Sequence, residues 1–264
     1  MTDYSLKEIT DFNMDYFSLK GKTAIVTGGN TGLGQAFSLA LAKGGANIVA
    51  PSIMPDDPAY NALIEEQGVK MHYISGDITA PGVPAAIVKE TKEVFGSVDI
   101  LVNCAGICIC EEVREFGREP WDKMIQINLT AAFEMSYETA KVMIEQKSGK
   151  MINICSMFSF LGGQWSPAYA ASKHGIAGLT KAYCDELAQY NIQVNGIAPG
   201  YFQTKVAEAS VQDPARNKWI VDHTAEGRWG KIHDLMGTTV FLASEASQFV
   251  NGHILAVDGG FLTR

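Results

Sequence analysis

Tyr169 and Lys173, in Tyr169-Ala170-Ala171-Ser172-Lys173, stand one helical turn apart, on one face of a predicted helix. A phenol with a pKa near 10 is a poor proton acceptor at neutral pH, and bringing it to about 7 takes roughly 4 kcal/mol of differential stabilisation. A nearby ammonium supplies part of that, so the pair has the makings of an acid–base device acting on a hydroxyl or carbonyl. Ser156 stands just past a predicted strand, at the carboxyl edge where open α/β sheets bind ligands, and its hydroxyl is suited to holding a substrate oxygen. Taken alone, the Tyr-x-x-x-Lys spacing is equally that of an exposed helical pair.

A second chemical signal is Thr27-Gly28-Gly29-Asn30-Thr31-Gly32-Leu33-Gly34, which follows the first predicted strand and opens the helical run Gln35 to Lys43. Glycines at such a turn let the backbone approach a pyrophosphate, and the new helix offers unpaired N–H groups and its positive dipole end. The spacing is Gly28-x3-Gly32-x-Gly34 and not the usual G-x-G-x-x-G, so a plain strand-to-helix turn is the alternative. Where the second strand ends, Ser52 occupies the place expected of a ribose-reading carboxylate. Lys and Arg are absent from Gly28–Gly34 and Pro51–Asp57, while Asp56 and Asp57 would repel a 2′-phosphate; this favours NAD over NADP. Asp77, in Gly76-Asp77-Ile78, is placed to accept a hydrogen bond from adenine or to start a helix.

These residues need a frame that brings strand ends together. Short apolar runs alternate with longer helix-like segments, predicting a doubly wound (Rossmann) α/β fold with a seven-stranded parallel sheet. The strands expected are Thr23–Thr27, Asn47–Ala50, Lys70–Ser75, Val98–Asn103, Met151–Cys155, Gln193–Ala198 and Ile254–Val257, mostly without polar alternation, as strands covered on both faces should be. Helices are expected to begin near Gly32, Pro58, Pro81, Trp121, Tyr169 and Lys231, with a helical pair between Thr204 and Thr224. Residues 1–15 read as a terminal extension and 16–264 as one domain, within which about 201–229 would cover the substrate.

A composition of 47% hydrophobic and 19% charged residues describes a globular chain with a substantial core. The net charge of −8 argues against nucleic acid as a partner and means that an anionic substrate needs local cations. No signal peptide or membrane-spanning stretch is evident, so the cytoplasm is expected. Five cysteines, Cys104, Cys108, Cys110, Cys155 and Cys184, fit reduced core thiols better than a disulfide framework, and their spacing gives no zinc site.

The turn above, then Asn103-Cys104-Ala105-Gly106, Asn128, Ser156, Tyr169-x3-Lys173 and Pro199-Gly200, occur in an order that resembles the short-chain dehydrogenase/reductase family from about Phe17 to Arg264. The resemblance implies strand order 3-2-1-4-5-6-7, a catalytic tetrad of Asn128, Ser156, Tyr169 and Lys173, and a homotetramer with Gly259–Arg264 near a neighbour. In that family the asparagine supports a proton-relaying water, and the lysine also grips the nicotinamide ribose. Dinucleotide contacts are implied for Gly28, Asn30, Thr31, Gly32, Leu33, Gly34, Ser52, Asp77, Ile78, Asn103, Ala105 and Gly106. Tyr169, Lys173, Pro199, Gly200, Phe202 and Thr204 complete that set, Thr204 at the position that holds the nicotinamide carboxamide. Cys104 replaces an asparagine common in the family, a change expected to affect packing more than chemistry.

Cys155–Gly163, Gly227-Arg228-Trp229-Gly230 and Ala256–Arg264 are similar to the 2-dehydro-3-deoxy-D-gluconate 5-dehydrogenases, a subgroup acting with NAD(H) on a deoxy keto sugar acid. After Gly106 the chain reads Ile107-Cys108-Ile109-Cys110, where that subgroup tends to carry arginines. A cation for a sugar-acid carboxylate must then come from Lys205, Arg216, His223 or Arg228. Met157, Gln164, Trp165, Tyr201 and Arg228 are the expected substrate-facing residues. Alternatives are a gluconate 5-dehydrogenase or another polyol or ketoacyl reductase of the same family, and, in another class, a non-catalytic dinucleotide sensor.

Overall fold

The computed structural model describes residues 10–264; residues 1–9, most of the expected terminal extension, lie outside the described residues. The elements run β1 (Thr23–Val26), α1 (Gly32–Gly44), β2 (Asn47–Ser52), α2 (Pro58–Glu65), β3 (Met71–Ser75), α3 (Val83–Phe95) and β4 (Ile100–Asn103) in the first half. Then come α4 (Arg118–Ile125), a π-helical turn (Gln126–Thr130), α5 (Ala131–Gln146), β5 (Gly149–Ile154), α6 (Pro167–Leu187) and β6 (Ile192–Pro199). The chain ends with α7 (Glu208–Gln212), α8 (Pro214–His223), α9 (Met236–Ala243) and β7 (Ile254–Val257). Among the described residues the seven strands pair in parallel in the order 3-2-1-4-5-6-7.

Strand periodicity divides the core into two layers. Ala24 and Val26, Ile48, Ile100 and Val102, and Ile152 and Ile154 point to one face, where Phe37 and Leu41 of α1, Ile64 of α2 and Leu242 of α9 cover them. Ile25, Val49, Leu101 and Met151 point to the other, under Ile87 and Val88 of α3, Met135 and Met143 of α5 and Leu187 of α6. Because helices cover both faces, β1, β4 and β5 are buried throughout, which is why their sequences show no polar alternation.

Several ends differ from expectation for local reasons. The helix expected near Pro81 opens at Val83, because Gly82 takes a left-handed φ of 80° as its cap. The helix expected at Tyr169 opens earlier, with Pro167 in its first turn, so Tyr169 is already inside the helix. The stretch after Lys231 forms a 3-10 turn, Ile232–Leu235, before α9.

Lys150, in β5, is buried and donates from Nζ to Gln248 Oε1 at 3.1 Å; burial lowers its pKa to about 8. Below that value the folded chain bears the full cost of a charged buried amine. Between about 8 and the ordinary 10.5 the unfolded chain binds the extra proton, so this residue's contribution improves as pH rises. Lys150→Met is expected to stabilise the protein at pH 7 by about 1–3 kcal/mol, and thermal unfolding at pH 10 should show most of that gain gone.

Candidate active site

The site assembles at the carboxyl ends of β1, β4, β5 and β6. Ser156 follows β5 and caps the 3-10 turn Met157–Ser159: its Oγ accepts from the Phe158 N–H at 3.2 Å. Ser159 returns the bond, its Oγ accepting from the Ser156 N–H at 3.2 Å and donating to the Lys173 carbonyl at 2.8 Å. This reciprocal cap ties the serine to α6. Tyr169 lies in the first turn of α6 with Phe158 edge-on to its ring at 6.0 Å. One turn later, the buried Lys173 sends Nζ to the Ile154 carbonyl at 2.7 Å and lies 5.5 Å from the centre of the Tyr169 ring.

Burial dominates the electrostatics of the phenol in the chain alone. Burial pushes the Tyr169 phenol up to about 12; a hydrogen bond with Ser156 lowers it, and the thiols of Cys108, Cys155 and Cys110 raise it. Burial also lowers the Lys173 ammonium. Desolvation is the largest cause for both groups and disfavours both charged forms, so the chain by itself holds the phenol protonated, ready to donate.

Asn128 occupies the π-helical turn between α4 and α5, a distortion common at functional sites. Its buried amide spans both backbone groups of Ile107: Oδ1 accepts from the N–H at 2.8 Å and Nδ2 donates to the carbonyl at 2.8 Å. Nδ2 also donates to Ser172 Oγ at 3.2 Å, linking the segment after β4 to α6. The Asn103 side chain points inward, Nδ2 donating to Ser136 Oγ and Asn153 Oδ1 at 2.9 and 2.8 Å.

All five cysteines are free thiols, but they are not all in the core: Cys108 and Cys110 are exposed on the segment after β4, their sulfurs 3.7 Å apart. That segment turns outward because its backbone is held at Ile107 by Asn128 and at Glu111, whose N–H donates to the Trp165 carbonyl at 2.8 Å. Among the described residues no group of three or more His, Cys, Asp or Glu could hold a metal ion, and no helix is long and apolar enough to cross a membrane.

The turn after β1 has the shape a dinucleotide pyrophosphate needs. Gly28 and Gly32 take left-handed φ of 67° and 54°, and a Cβ on Gly34 would sit 2.1 Å from the Gly28 carbonyl oxygen. Helix α1 has Thr31 as its N-cap residue with no side-chain cap bond and no acidic residue in its first turn, leaving its N–H groups to an anion. Thr27 Oγ1, a contact not read from the sequence, accepts from the N–H groups of Cys104 and Ala105 at 2.9 and 3.0 Å and so clamps the turn to the end of β4. Asn30 Nδ2 donates to the Pro55 carbonyl at 2.9 Å, while its buried Oδ1 has no partner. These residues fit a dinucleotide.

Further round the crevice, Ser52 is buried with Oγ accepting from the Met54 N–H at 3.1 Å. Asp77 Oδ1 accepts from the Thr79 N–H and hydroxyl, which lower its pKa, and Ile78 packs in the core. Gly106 lies against Asn128, Leu33 packs on the core from the first turn of α1, Pro199 ends β6, Gly200 donates to the Val257 carbonyl, and Thr204 is the N-cap residue of a 3-10 turn. Met157 and Phe202 are buried, whereas Gln164 and Trp165 are exposed on the loop before α6, Trp165 at a left-handed φ of 64°.

The candidate cations separate clearly. Arg228 is held between Glu226 Oε2 at 2.8 Å and Asp234 Oδ2 at 2.7 Å, and His223 stacks on Trp219 at 4.2 Å with Nδ1 against the Trp219 carbonyl. Arg216 donates to the Tyr201 hydroxyl at 3.1 Å. Tyr201 itself packs edge-on against Trp229 and Phe261.

The family model described as short chain dehydrogenase matches residues 22–215. Among curated proteins, the chain is 61% identical to "Uncharacterized oxidoreductase YgcW" of Escherichia coli (strain K12), over 98% of this chain and 100% of that one. It is 45% identical to the 2-dehydro-3-deoxy-D-gluconate 5-dehydrogenase of Bacillus subtilis (strain 168), over 95% of this chain and 98% of the relative. Among solved structures, a gluconate 5-dehydrogenase from Burkholderia cenocepacia J2315 in complex with NADP and tartrate superposes with a TM-score of 0.89 at 36% identity, covering 95% of this chain and 98% of the other.

Proposed function

The chain belongs to the short chain dehydrogenase family, and from that premise we propose that it is an NAD-dependent oxidoreductase interconverting the 5-hydroxyl and 5-keto forms of a 3-deoxy-2-keto sugar acid. One observation carries the reading: Ser156, Tyr169 and Lys173 converge at the carboxyl edge of the sheet, with Ser156 close enough to the phenol to lower its pKa and the amine one helical turn further along α6, 5.5 Å from the centre of the phenol ring. A sensor that merely bound a dinucleotide would have no use for that proton chemistry. The substrate class is supported by the relatives that carry a sugar-acid dehydrogenase name at 45% and 44% identity.

The dinucleotide, when bound, accepts the hydride in alcohol oxidation and supplies it in ketone reduction. Thr31, Gly32 and Gly34 would hold its pyrophosphate, with Ser52 and Asp77 toward the adenosine end. In reduction, Ser156 hydrogen-bonds the substrate carbonyl oxygen and Tyr169 gives it a proton; in oxidation Tyr169 takes the hydroxyl proton back. Lys173 orients the phenol from behind, and Asn128 keeps α6 in register with the segment after β4.

The preference for NAD rests on the second-strand loop. Ser52 offers no cation, and the Asn30–Pro55 bond holds the stretch bearing Asp56 and Asp57 against the glycine turn, where a 2′-phosphate would meet negative charge. Purified protein assayed with NADH and NADPH against the 2,5-diketo-3-deoxy acid, 5-keto-D-gluconate, neutral ketoses and acetoacetyl thioesters is expected to show the highest kcat/KM for the deoxy acid. The expected preference for NADH is about tenfold or more. Preference for NADPH with thioester turnover would replace this reading with that of a ketoacyl reductase.

A further inference from the structure

We infer that Arg216, presented by Tyr201 and Trp219, is the anchor for the substrate's carboxylate. The inference rests on the sugar-acid reading above and identifies the group that selects an acid over a neutral ketone.

The need for a cation follows from charge. A chain with a net charge of −8 does not attract an anion by its overall field, so the carboxylate must meet a local positive group. After β4, Ile107–Cys110 carries no Lys or Arg and exposes the thiols of Cys108 and Cys110, and Arg114 further along is paired with Glu112 at 2.9 Å. Lys173 is buried and bonded to the Ile154 carbonyl, Arg228 is neutralised by two carboxylates, His223 is stacked on Trp219 with Nδ1 against its carbonyl, and Lys205 is exposed to water.

Arg216 differs from these in its surroundings. Among the described residues no carboxylate lies within 4.0 Å of its guanidinium, although Arg114 and Arg118 each have one and Arg228 has two. Its partners are aromatic: Nη2 donates to the Tyr201 hydroxyl at 3.1 Å, and the guanidinium carbon lies 4.8 Å from the centre of the Trp219 ring. A half-buried guanidinium on an aromatic face has lost water without gaining an anion, and most of its five N–H donors remain to be used. The Tyr201 hydroxyl accepts from Arg216, which leaves its own hydrogen free to donate. Together they present adjacent N–H and O–H donors, the pattern that a carboxylate accepts through both oxygens.

The placement fits the same crevice. Tyr201 follows Pro199-Gly200 at the carboxyl end of β6, and contacts with Trp229 and Phe261 at 5.8 and 5.4 Å hold its ring. Tyr201 stands at the end of β6 and Tyr169 in α6 beyond the end of β5, the neighbouring strand, so both lie on the carboxyl edge of the sheet. Asp213 caps α8 by accepting from the Arg216 N–H at 3.2 Å, which fixes the backbone from which the guanidinium reaches toward Tyr201.

The test uses the full chain with NADH and three forms, wild type, Arg216→Met and Arg216→Lys. Arg216→Met should raise KM for 5-keto-D-gluconate and the deoxy diketo acid by about 10- to 100-fold with kcat nearly unchanged, and should leave KM for a neutral ketohexose unaltered. Arg216→Lys should recover part of the loss. Equal losses on acid and neutral substrates, or a KM change under about threefold on the acids, would overturn the inference. Calorimetric titration of gluconate into NADH-loaded protein separates this from failure of the functional reading. If wild type reduces no sugar acid yet binds gluconate, and Arg216→Met abolishes that binding, the anchor stands and the substrate assignment falls. If gluconate binds neither form, or both equally, the anchor is overturned.

Discussion

Tyr169→Phe is expected to lower kcat in both directions by about 10²- to 10⁴-fold while NADH still binds with nearly wild-type affinity. The substitution removes one oxygen from a ring whose edge-on contact with Phe158 at 6.0 Å is kept, so the pocket should retain its shape. Steady-state kinetics with a fluorescence titration of NADH would separate the two effects, and turnover within a few-fold of wild type would remove the phenol from the mechanism. The pH dependence has a definite sign. The chain alone holds the phenol near 12, so ketone reduction, which needs the protonated form, should stay flat through neutral and mildly alkaline pH. Alcohol oxidation needs the phenolate and should climb with pH over the same range. Positive charge on the oxidised nicotinamide would move that climb to lower pH, which makes the oxidation profile a measure of how far the bound cofactor offsets burial.

Gly34→Ala should cost more than any other single methyl group in the site. A Cβ there would stand 2.1 Å from the Gly28 carbonyl oxygen and 2.8 Å from its carbon, both backbone atoms of a turn clamped by Thr27. Alanine is the better helix former by about 1 kcal/mol, so propensity predicts a gain. The steric term reverses it: opening the turn should cost about 1–3 kcal/mol of stability and weaken NADH binding by about 10²-fold, because the glycine turn and the N-terminus of α1 would separate. Denaturant unfolding and NADH titration on the same preparation would test both parts. A variant more stable than wild type with unchanged affinity would show that the turn relaxes freely.

The contrast between Asn128 and Arg216 shows how far residue types alone can lead. Asn128 was legible because the order of motifs around it resembles a family, but nothing in the sequence announces the π-helical turn that lets one amide span both backbone groups of Ile107. Arg216 and Arg228 are indistinguishable as letters. Only the fold puts Arg228 between two carboxylates and leaves Arg216 on Trp219 and Tyr201, because ion pairing depends on which loops meet. Cys108 and Cys110 teach the same lesson in reverse. Their apolar neighbours read as core, yet the segment is pulled to the surface by hydrogen bonds at Ile107 and Glu111.

Local pattern was enough for the parallel sheet, since a strand covered on both faces must be apolar throughout and a helix must carry an apolar stripe. It was also enough for the glycine turn and for the spacing that puts a phenol and an amine on one helical face. What it could not set was the protonation of that phenol. The pKa of a buried group is a sum over everything packed around it, and here desolvation by the assembled core is the largest cause and raises it.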